Sequence, residues 1–195
     1  MKKLSINRTP SISHIFILFL GSQLVLGLMF AFTFPVIHSQ MGDRTFDLRT
    51  FGYSVKTAQS LVDKLDASTA QFYLFPQLFL LDLIYPFLLA LFLYTFLLRL
   101  KNLTGLASQT WWLWIRVLPF VAMVFDYLEN LGIAIMITHS GLLPPSLVRL
   151  TSAFTVTKGL FTTCSWIVAL ALCIAWFWQK IKSSNKRLDH KKIEV

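Results

Sequence analysis

Residues 72–98 read FYLFPQLFLLDLIYPFLLALFLYTFLL, and Asp82 is the only charged side chain among them. At ~1.5 Å per residue, a helix over this stretch would be about 40 Å long, which exceeds the ~30 Å hydrocarbon core of a bilayer. We therefore predict a membrane-spanning helix that is tilted, capped at Ser68, and bent where Pro76 and Pro86 interrupt it.

Three more stretches of the chain are equally apolar, at about residues 14–36, 112–138 and 151–178. Of all 195 residues, 55% are hydrophobic and 14% are charged, whereas about a quarter of the residues in a soluble domain are charged. We therefore predict an all-α integral membrane protein, a four-helix bundle over residues 1–178, with no second soluble domain.

The basic residues predict the orientation of this bundle. If both termini lie in the cytoplasm, the inner side holds twelve Lys and Arg residues and the outer side holds six, in agreement with the enrichment of these residues in cytoplasmic loops. We therefore predict that both termini are cytoplasmic and that residues 179–195 form a basic cytoplasmic tail. The same orientation places five of the six tryptophans in one interfacial belt: Trp111, Trp112, Trp114, Trp176 and Trp178.

Residues 37–71 form the predicted outer loop. Its segment SVKTAQSLVDKL, residues 54–65, predicts a short surface helix that is capped by Ser54 and has one apolar stripe: Val55, Ala58, Val62 and Leu65. We expect three aromatic residues ahead of this helix to tuck into the outer mouth of the bundle: Phe46, Phe51 and Tyr53. The loop is then either a lid over the bundle or a packed connector.

The third span carries a cluster of polar side chains. In FDYLENLGI, residues 125–133, Asp126, Glu129 and Asn130 occupy helix positions i, i+3 and i+4, so they share one face. Three further residues fall on that face: Pro119, Ala122 and Ile133. The cluster begins near the centre of the span and extends toward its outer end.

Two other spans place charges at similar depth. Asp82 shares a face of the second span with five residues: Phe75, Leu78, Tyr85, Pro86 and Leu89. Lys158 lies on a stripe of hydroxyl side chains in the fourth span: Thr151, Thr155, Thr162 and Ser165. A charge left facing lipid at mid-helix costs about 2.5–3.5 kcal/mol, so these charged groups should turn inward.

Three acids and one lysine cannot all be matched in pairs. If Lys158 pairs with Glu129, the carboxyls of Asp82 and Asp126 remain, and two nearby carboxyls in a low dielectric share a proton. At least one of these acids should therefore be protonated at pH 7.

These residues form the candidate site. The predicted binding residues are Asp82, Tyr85, Asp126, Glu129, Asn130 and Lys158, and the catalytic candidates are Asp82, Asp126 and Glu129. A structural role stays open for several of them. Asn130 and the hydroxyl stripe of the fourth span suit hydrogen bonds between helices, and Lys158 is long enough to snorkel outward.

Other kinds of site find little support in the sequence. No nucleotide-binding loop, HExxH or CxxC motif is present, and we predict no cofactor and no metal, because His38 and the acids lack a metal-ligand spacing. Cys164 and Cys173 lie on opposite sides of one span and cannot bridge each other. The net charge of +9 is concentrated beside the spans and in the tail, so we expect no nucleic-acid partner.

Two segments carry a resemblance to known proteins. LLDLIYPFLLALF at residues 80–92 and LPFVAMVFDYLENLGI at residues 118–133 resemble small bacterial four-span membrane proteins that have no assigned activity. A more distant similarity is to the four-helix sterol isomerase and emopamil-binding group, in which acids on central helices enclose an apolar ligand. This chain departs from that group at Lys158 and has no His beside an acid in the second span, so we do not assign that activity.

Three functions are compatible with the pattern. The first is a binding or transport module whose polar pocket, in the outer half of the bundle, receives a small amphiphile or a proton-linked solute. The second is an intramembrane enzyme that uses carboxylate acid/base chemistry on a lipid-like substrate. The third is an accessory subunit of a larger membrane complex. Membrane lipids are expected partners, a homo-oligomer is compatible, and the Lys-led N-terminus with compact loops favours the bacterial inner (plasma) membrane.

Overall fold

The computed structural model describes residues 9–105 and 109–193, and within these ranges the chain is helical without a β-strand. Four helical stretches are long and apolar enough to cross a membrane: Ile12–Met41, Ala67–Thr104, Trp111–Thr138 and Pro145–Ser183. The predicted all-α fold with four membrane-crossing helices is confirmed.

The first stretch consists of α1 (Ile12–Leu28), a widened π-helical turn (Met29–Thr33) and α2 (Phe34–Met41). Ser11 caps α1 by accepting a hydrogen bond from the His14 N–H at 3.2 Å. The widened turn lies just before Pro35, which has no N–H to donate to the preceding turn.

The connector to the second stretch is folded. It holds a short 3₁₀ turn (Phe46–Leu48) and α3 (Val55–Val62), and Ser54 caps α3 as predicted by accepting from the Thr57 N–H at 3.1 Å. The predicted apolar stripe packs inward, and Leu61 joins it. Phe46 is fully buried but Phe51 is 99% exposed, so the prediction that Phe51 tucks into the bundle is wrong.

The second stretch begins at α4 (Ala67–Phe72), and its cap is Asp66, not Ser68. The Asp66 carboxylate accepts from the Thr69 N–H at 2.7 Å and from the Ser68 hydroxyl at 2.9 Å. An Asp in this position both accepts a hydrogen bond and places negative charge at the positive end of the helix, and this explains the earlier start.

A bend interrupts the second stretch ahead of its main helix. Phe75 is extended, with φ −143° and ψ 122°, as expected for a residue that precedes proline. The bend predicted at Pro76 is therefore present, and α5 (Asp82–Thr104) follows it with Pro86 in its second turn. Because the helix is broken at Phe75, that side chain does not share the inward face of Asp82 and is 60% exposed.

The last two stretches run antiparallel to each other. The third divides into α6 (Gln109–Ile115) and α7 (Leu118–Thr138). The fourth is one helix, α8 (Pro145–Ile193), which starts before the predicted boundary at residue 151 and continues through most of the predicted tail. No Gly or Pro follows Gly159, so nothing in the local sequence ends α8 earlier.

The most extensive helix–helix interface is between α7 and α8, while α1 packs mainly against α5. At the α7–α8 crossing, a Cβ atom on Gly132 would lie 2.6 Å from Cγ2 of Thr151 and closer still to its hydroxyl oxygen. Gly132 thus lets the two backbones approach closely, as small residues do between membrane helices.

The tryptophan-rich ends of the spans meet at one end of the bundle. Gln179 donates a hydrogen bond to the Thr104 carbonyl at 3.2 Å, and the Lys101 ammonium lies 4.9 Å from the ring centre of Trp112. This end is the cytoplasmic one in the predicted orientation, and the connector with α3 is at the opposite, outer end.

Candidate functional site

Lys158 projects from α8 into the bundle with the hydroxyl stripe predicted from the sequence. Thr151, Thr155 and Ser165 are buried, and the Lys158 side chain is only 15% exposed. The stripe faces α7 because its spacings of three and four residues keep it on one side of an unbroken helix.

The Lys158 ammonium bridges two carboxylates of α7. It donates a hydrogen bond to Oδ1 of Asp126 at 2.7 Å and forms an ion pair with Oε2 of Glu129. The pairing of Lys158 with Glu129 that the sequence suggested is therefore present, and Asp126 shares the same ammonium. Asp126 and Glu129 are one helical turn apart, and an ammonium with three N–H donors reaches both.

Glu129 is the most deeply buried of these three charged residues. Its side chain has no solvent exposure, and the Thr155 hydroxyl donates to its Oε1 at 2.7 Å. Glu129 is thus held from two sides by α8, through Lys158 and Thr155. This position suits a carboxylate that fixes Lys158.

Asn130 connects α7 to the first residue of α5. Its side-chain amide donates to the Asp82 carbonyl at 3.1 Å, and the Tyr127 hydroxyl donates to the neighbouring Leu83 carbonyl at 2.9 Å. Both bonds go to backbone oxygens in the first turn of α5, where the Asp82 carbonyl lacks its usual helical donor because Pro86 has no N–H. This geometry favours the interhelical role that the sequence left open for Asn130.

Asp82, Asp126 and Lys158 line one cavity of about 250 Å³ in the half of the bundle next to the connector. Tyr85 also lines it, whereas Glu129 and Asn130 do not. Part of the wall is apolar and comes from four helical segments and the connector: Leu26, Met29, Phe34, Leu48 and Leu89. The cavity therefore combines a charged wall with an apolar wall.

The cavity lies between α1 and α8. Leu26 of α1 is on one side of it and Thr163 of α8, which is exposed, is on the other. In the described part of the chain α1 makes extensive contact with α5 and little with α8. The cavity thus lies between two helices that make little contact with each other.

A third cavity acid, Asp47, comes from the connector and was not predicted as a site residue. The Tyr73 hydroxyl donates to Oδ2 of Asp47, and the same hydroxyl accepts from the Phe46 N–H at 3.2 Å. Tyr73 is fully buried and so anchors the 3₁₀ turn over the bundle. The available sequence signal was an acid between two apolar residues, Phe46 and Leu48, in an otherwise polar loop.

Acidic groups outnumber basic groups around the cavity. Asp47, Asp82 and Asp126 line it with Lys158 as the only cation among the described lining residues, and Lys158 already contacts Asp126 and Glu129. Among the described residues, Oδ2 of Asp82 and Oδ1 of Asp47 are buried without a hydrogen-bond partner. A buried carboxylate without a partner is costly, so these two oxygens favour a proton or a cationic group.

The connector is pressed against α8 beside the cavity. Gly52 has φ +82°, and a Cβ atom there would lie 2.6 Å from the Ser152 hydroxyl oxygen. The next residue, Tyr53, donates its backbone N–H to the same oxygen at 2.8 Å. Burial raises the pKa of the Tyr53 phenol, and the nearby Glu129 charge raises it further, so this phenol stays neutral.

The residues weighed as metal ligands or redox groups are not brought together. His38 Nδ1 lies 2.8 Å from the Asp43 carbonyl. In residues 9–105 and 109–193, no group of three or more His, Cys, Asp or Glu side chains is arranged to hold a metal ion. Cys164 and Cys173 are both free thiols.

The four apolar helical stretches define this chain as a multi-pass membrane protein. No protein-family model, curated protein or solved structure matches it. The argument about function therefore depends on the geometry and charge of the cavity.

Proposed function

We propose that this protein binds a small cationic amphiphile, a molecule with a protonated amine and a short apolar part, in the cavity between α1, α5 and α8. The observation that carries the proposal is the charge of the wall. Three acids line the cavity, and the only lysine among the described lining residues is already bridged between Asp126 and Glu129.

A ligand ammonium would compensate the carboxyls that have no cation. Asp82 and Asp47 each present a buried oxygen without a partner among the described residues, and hydrogen bonds to charged groups are the strong ones. Tyr85 lines the same cavity, and an aromatic ring adds attraction for a cation. In the empty cavity a proton on Asp82 serves the same purpose, so that amine binding is linked to proton release.

The rest of the cavity supports an amphiphile over a fully polar solute. Part of the cavity wall is apolar, and the cavity lies between α1 and α8. A volume of about 250 Å³ is smaller than the ~300–1,000 Å³ of most drug-sized sites. The ligand is thus small, and it enters from the bilayer.

A second candidate function is an intramembrane enzyme with a carboxyl acid/base pair, and one observation favours it. Asp82 and Asp126 line one cavity in unlike surroundings, because Asp126 is paired with Lys158 and Asp82 has no cation among the described residues. Unlike environments for two carboxyls are typical of acid/base pairs. The substrate would be a lipid-like molecule of the same size.

The test uses the purified protein in nanodiscs and octylamine as the probe, with octanol as the uncharged control of equal chain length. Octylamine is expected to raise the melting temperature and octanol is not. Asp82→Asn is expected to weaken octylamine binding about tenfold, while Asp63→Asn, which changes an exposed acid of the connector, leaves it unchanged. Equal effects of octylamine and octanol, or unchanged binding by Asp82→Asn, would refute the proposal.

Mass spectrometry of molecules that co-purify with the protein provides an independent test. The binding proposal predicts an amine that is lost from Asp82→Asn and retained by Asp63→Asn. The enzyme alternative predicts instead that lipid extracts incubated with the protein acquire a new product, and that Asp126→Asn abolishes this product without lowering the melting temperature.

A further inference from the structure

A second cavity, of about 550 Å³, lies at the tryptophan-rich end of the bundle and is separate from the candidate site. It is bounded by the start of α1, the end of α5 and the last membrane-crossing turns of α8. Its wall is apolar apart from Arg99, and includes Ile12, Leu100, Leu103, Ile174 and Phe177. Ile12, Ile174 and Phe177 are each at least 60% exposed in the protein alone, so the cavity is a groove open to the lipid side.

Arg99 is the charged group of this groove. One of its N–H groups donates to the Pro10 carbonyl at 2.7 Å, and this bond ties the side chain to the start of α1. Among the described residues Arg99 makes no ion pair. A guanidinium has five N–H donors in a planar fork, so within the described part of the chain most of its hydrogen-bonding capacity stays available beside the groove.

The surroundings of the groove are basic. Residues 99–118 and 173–183 contain Arg99, Lys101, Arg116, Lys180 and Lys182 and no Asp or Glu. The Lys180 ammonium lies 5.3 Å from the ring centre of Trp176, which itself lines the groove. Tryptophan with neighbouring lysine is typical of the headgroup level of a bilayer, so the groove extends from that level into the hydrocarbon.

We propose that this groove holds one anionic phospholipid, with an acyl chain along the apolar wall and the headgroup phosphate on Arg99. Charge complementarity supports this occupant over a second copy of the chain. A two-fold related copy would present the same surface, and would bring Arg99 and Lys180 toward their own counterparts. An anionic phosphate instead receives the free donors of the guanidinium.

The test is native mass spectrometry of the full chain released from micelles that contain phosphatidylglycerol or phosphatidylcholine with identical acyl chains. The wild-type protein is expected to retain one phosphatidylglycerol and to retain phosphatidylcholine at least tenfold less. Arg99→Ala is expected to reduce phosphatidylglycerol retention about tenfold. The matched control is Arg116→Ala, which removes an arginine near the same end that does not line the groove.

Arg99→Ala also removes the hydrogen bond to Pro10, so two further variants test the charge and the shape of the groove separately. Arg99→Lys keeps the charge and is expected to retain phosphatidylglycerol better than Arg99→Ala. Cys173→Phe narrows the groove without changing charge and is expected to reduce retention of both lipids. Equal retention of the two lipids by the wild-type protein overturns the proposal without reference to any variant. Equal effects of Arg99→Ala and Arg116→Ala, or a lipid-free dimer, also overturn it.

Discussion

The ammonium group of Lys158 on α8 lies 2.7 Å from Oδ1 of Asp126 on α7 and is also paired with Glu129 one helical turn away. These three charges join the two most extensively packed helices of the bundle. They also leave the cavity with no uncommitted cation among its described lining residues. One lysine therefore stabilises the helix pair and determines the charge of the cavity.

Lys158→Met is expected to destabilise the protein by about 3–5 kcal/mol, because it leaves two buried carboxylates without their cation. Chemical unfolding in micelles, followed by tryptophan fluorescence, measures the change. The exposed Lys56 provides the control, and Lys56→Met should be neutral. The triple change Lys158→Met, Asp126→Asn and Glu129→Gln should recover part of the loss, since no charge is then left unpaired. Equal stability of Lys158→Met and wild type would show that the ion pairs of Lys158 do not contribute to the free energy of unfolding.

Gly132→Ala is expected to cost about 1–3 kcal/mol, because the added methyl group overlaps Thr151 at the α7–α8 crossing. Gly27 is the matched control, since a Cβ atom there meets nothing within 4 Å. Gly27→Ala should be neutral or slightly stabilising, because alanine favours the helix. Thermal unfolding of both variants under the same conditions decides the question, and similar melting temperatures would contradict the close approach of the two helices.

Tyr73→Phe is expected to destabilise the connector over the cavity. The change removes the hydroxyl that donates to Asp47 and accepts from the Phe46 N–H, and leaves both groups without this partner at a cost of about 1–3 kcal/mol. Limited proteolysis within residues 43–54 should become faster. Tyr94→Phe is the control, since the Tyr94 ring packs on Phe120 in a different part of the bundle. Unchanged proteolysis would show that the hydroxyl does not anchor the turn.

The cap at Asp66 predicts a dependence of stability on pH. The backbone N–H of Thr69 and the hydroxyl of Ser68 lower the pKa of Asp66 below its usual value of 3.8. Because the folded-state pKa is the lower one, this contribution to stability is present above about pH 4 and is lost as the pH falls through the folded-state pKa. The melting temperature between about pH 6 and about pH 2 measures it.

Two variants separate the charge of that cap from its hydrogen bond. Asp66→Asn keeps a good capping side chain, so it should resemble wild type at neutral pH and lose less stability on acidification. Asp66→Ala should be less stable than either at neutral pH. The pKa of Asp43 is also lowered, by Arg49 and by the Arg44 backbone N–H, so Asp43 contributes to the acid dependence that remains. Identical pH profiles of the melting temperature for wild type and Asp66→Asn would exclude Asp66 as a source of the acid dependence of stability.

Helical periodicity alone predicted the inward faces of α7 and α8. Asp126, Glu129 and Asn130 are all buried together, and so are Thr151 and Thr155. The prediction succeeded because both helices are regular over these residues, so the spacing of residues along the chain determines the side of the helix on which each side chain lies. It failed at Phe75, where an extended residue before Pro76 changes the direction of the face.

The partners of the charged side chains were less predictable. The sequence indicated that the intramembrane charges must meet and that Asp82 would lack a cation, but not that Lys158 would reach Asp126 as well as Glu129. In the sequence, Asp47 is one of four acids in a loop that also holds four basic residues, and nothing there distinguishes it as a site residue. Its place beside the cavity depends on Tyr73, which is 26 positions away along the chain.

The amino-acid sequence is enough to predict four membrane-crossing helices and to predict that their acids and their lysine turn away from lipid. Both conclusions follow from the length of the apolar stretches and from the cost of placing charge in hydrocarbon. Only the packing of the helices shows which charges compensate each other and which cavity the uncompensated charges line. That outcome depends on the crossing of α7 and α8, on the bend before α5 and on the docking of the connector, and distances of a few ångström between remote residues are not encoded in any local pattern.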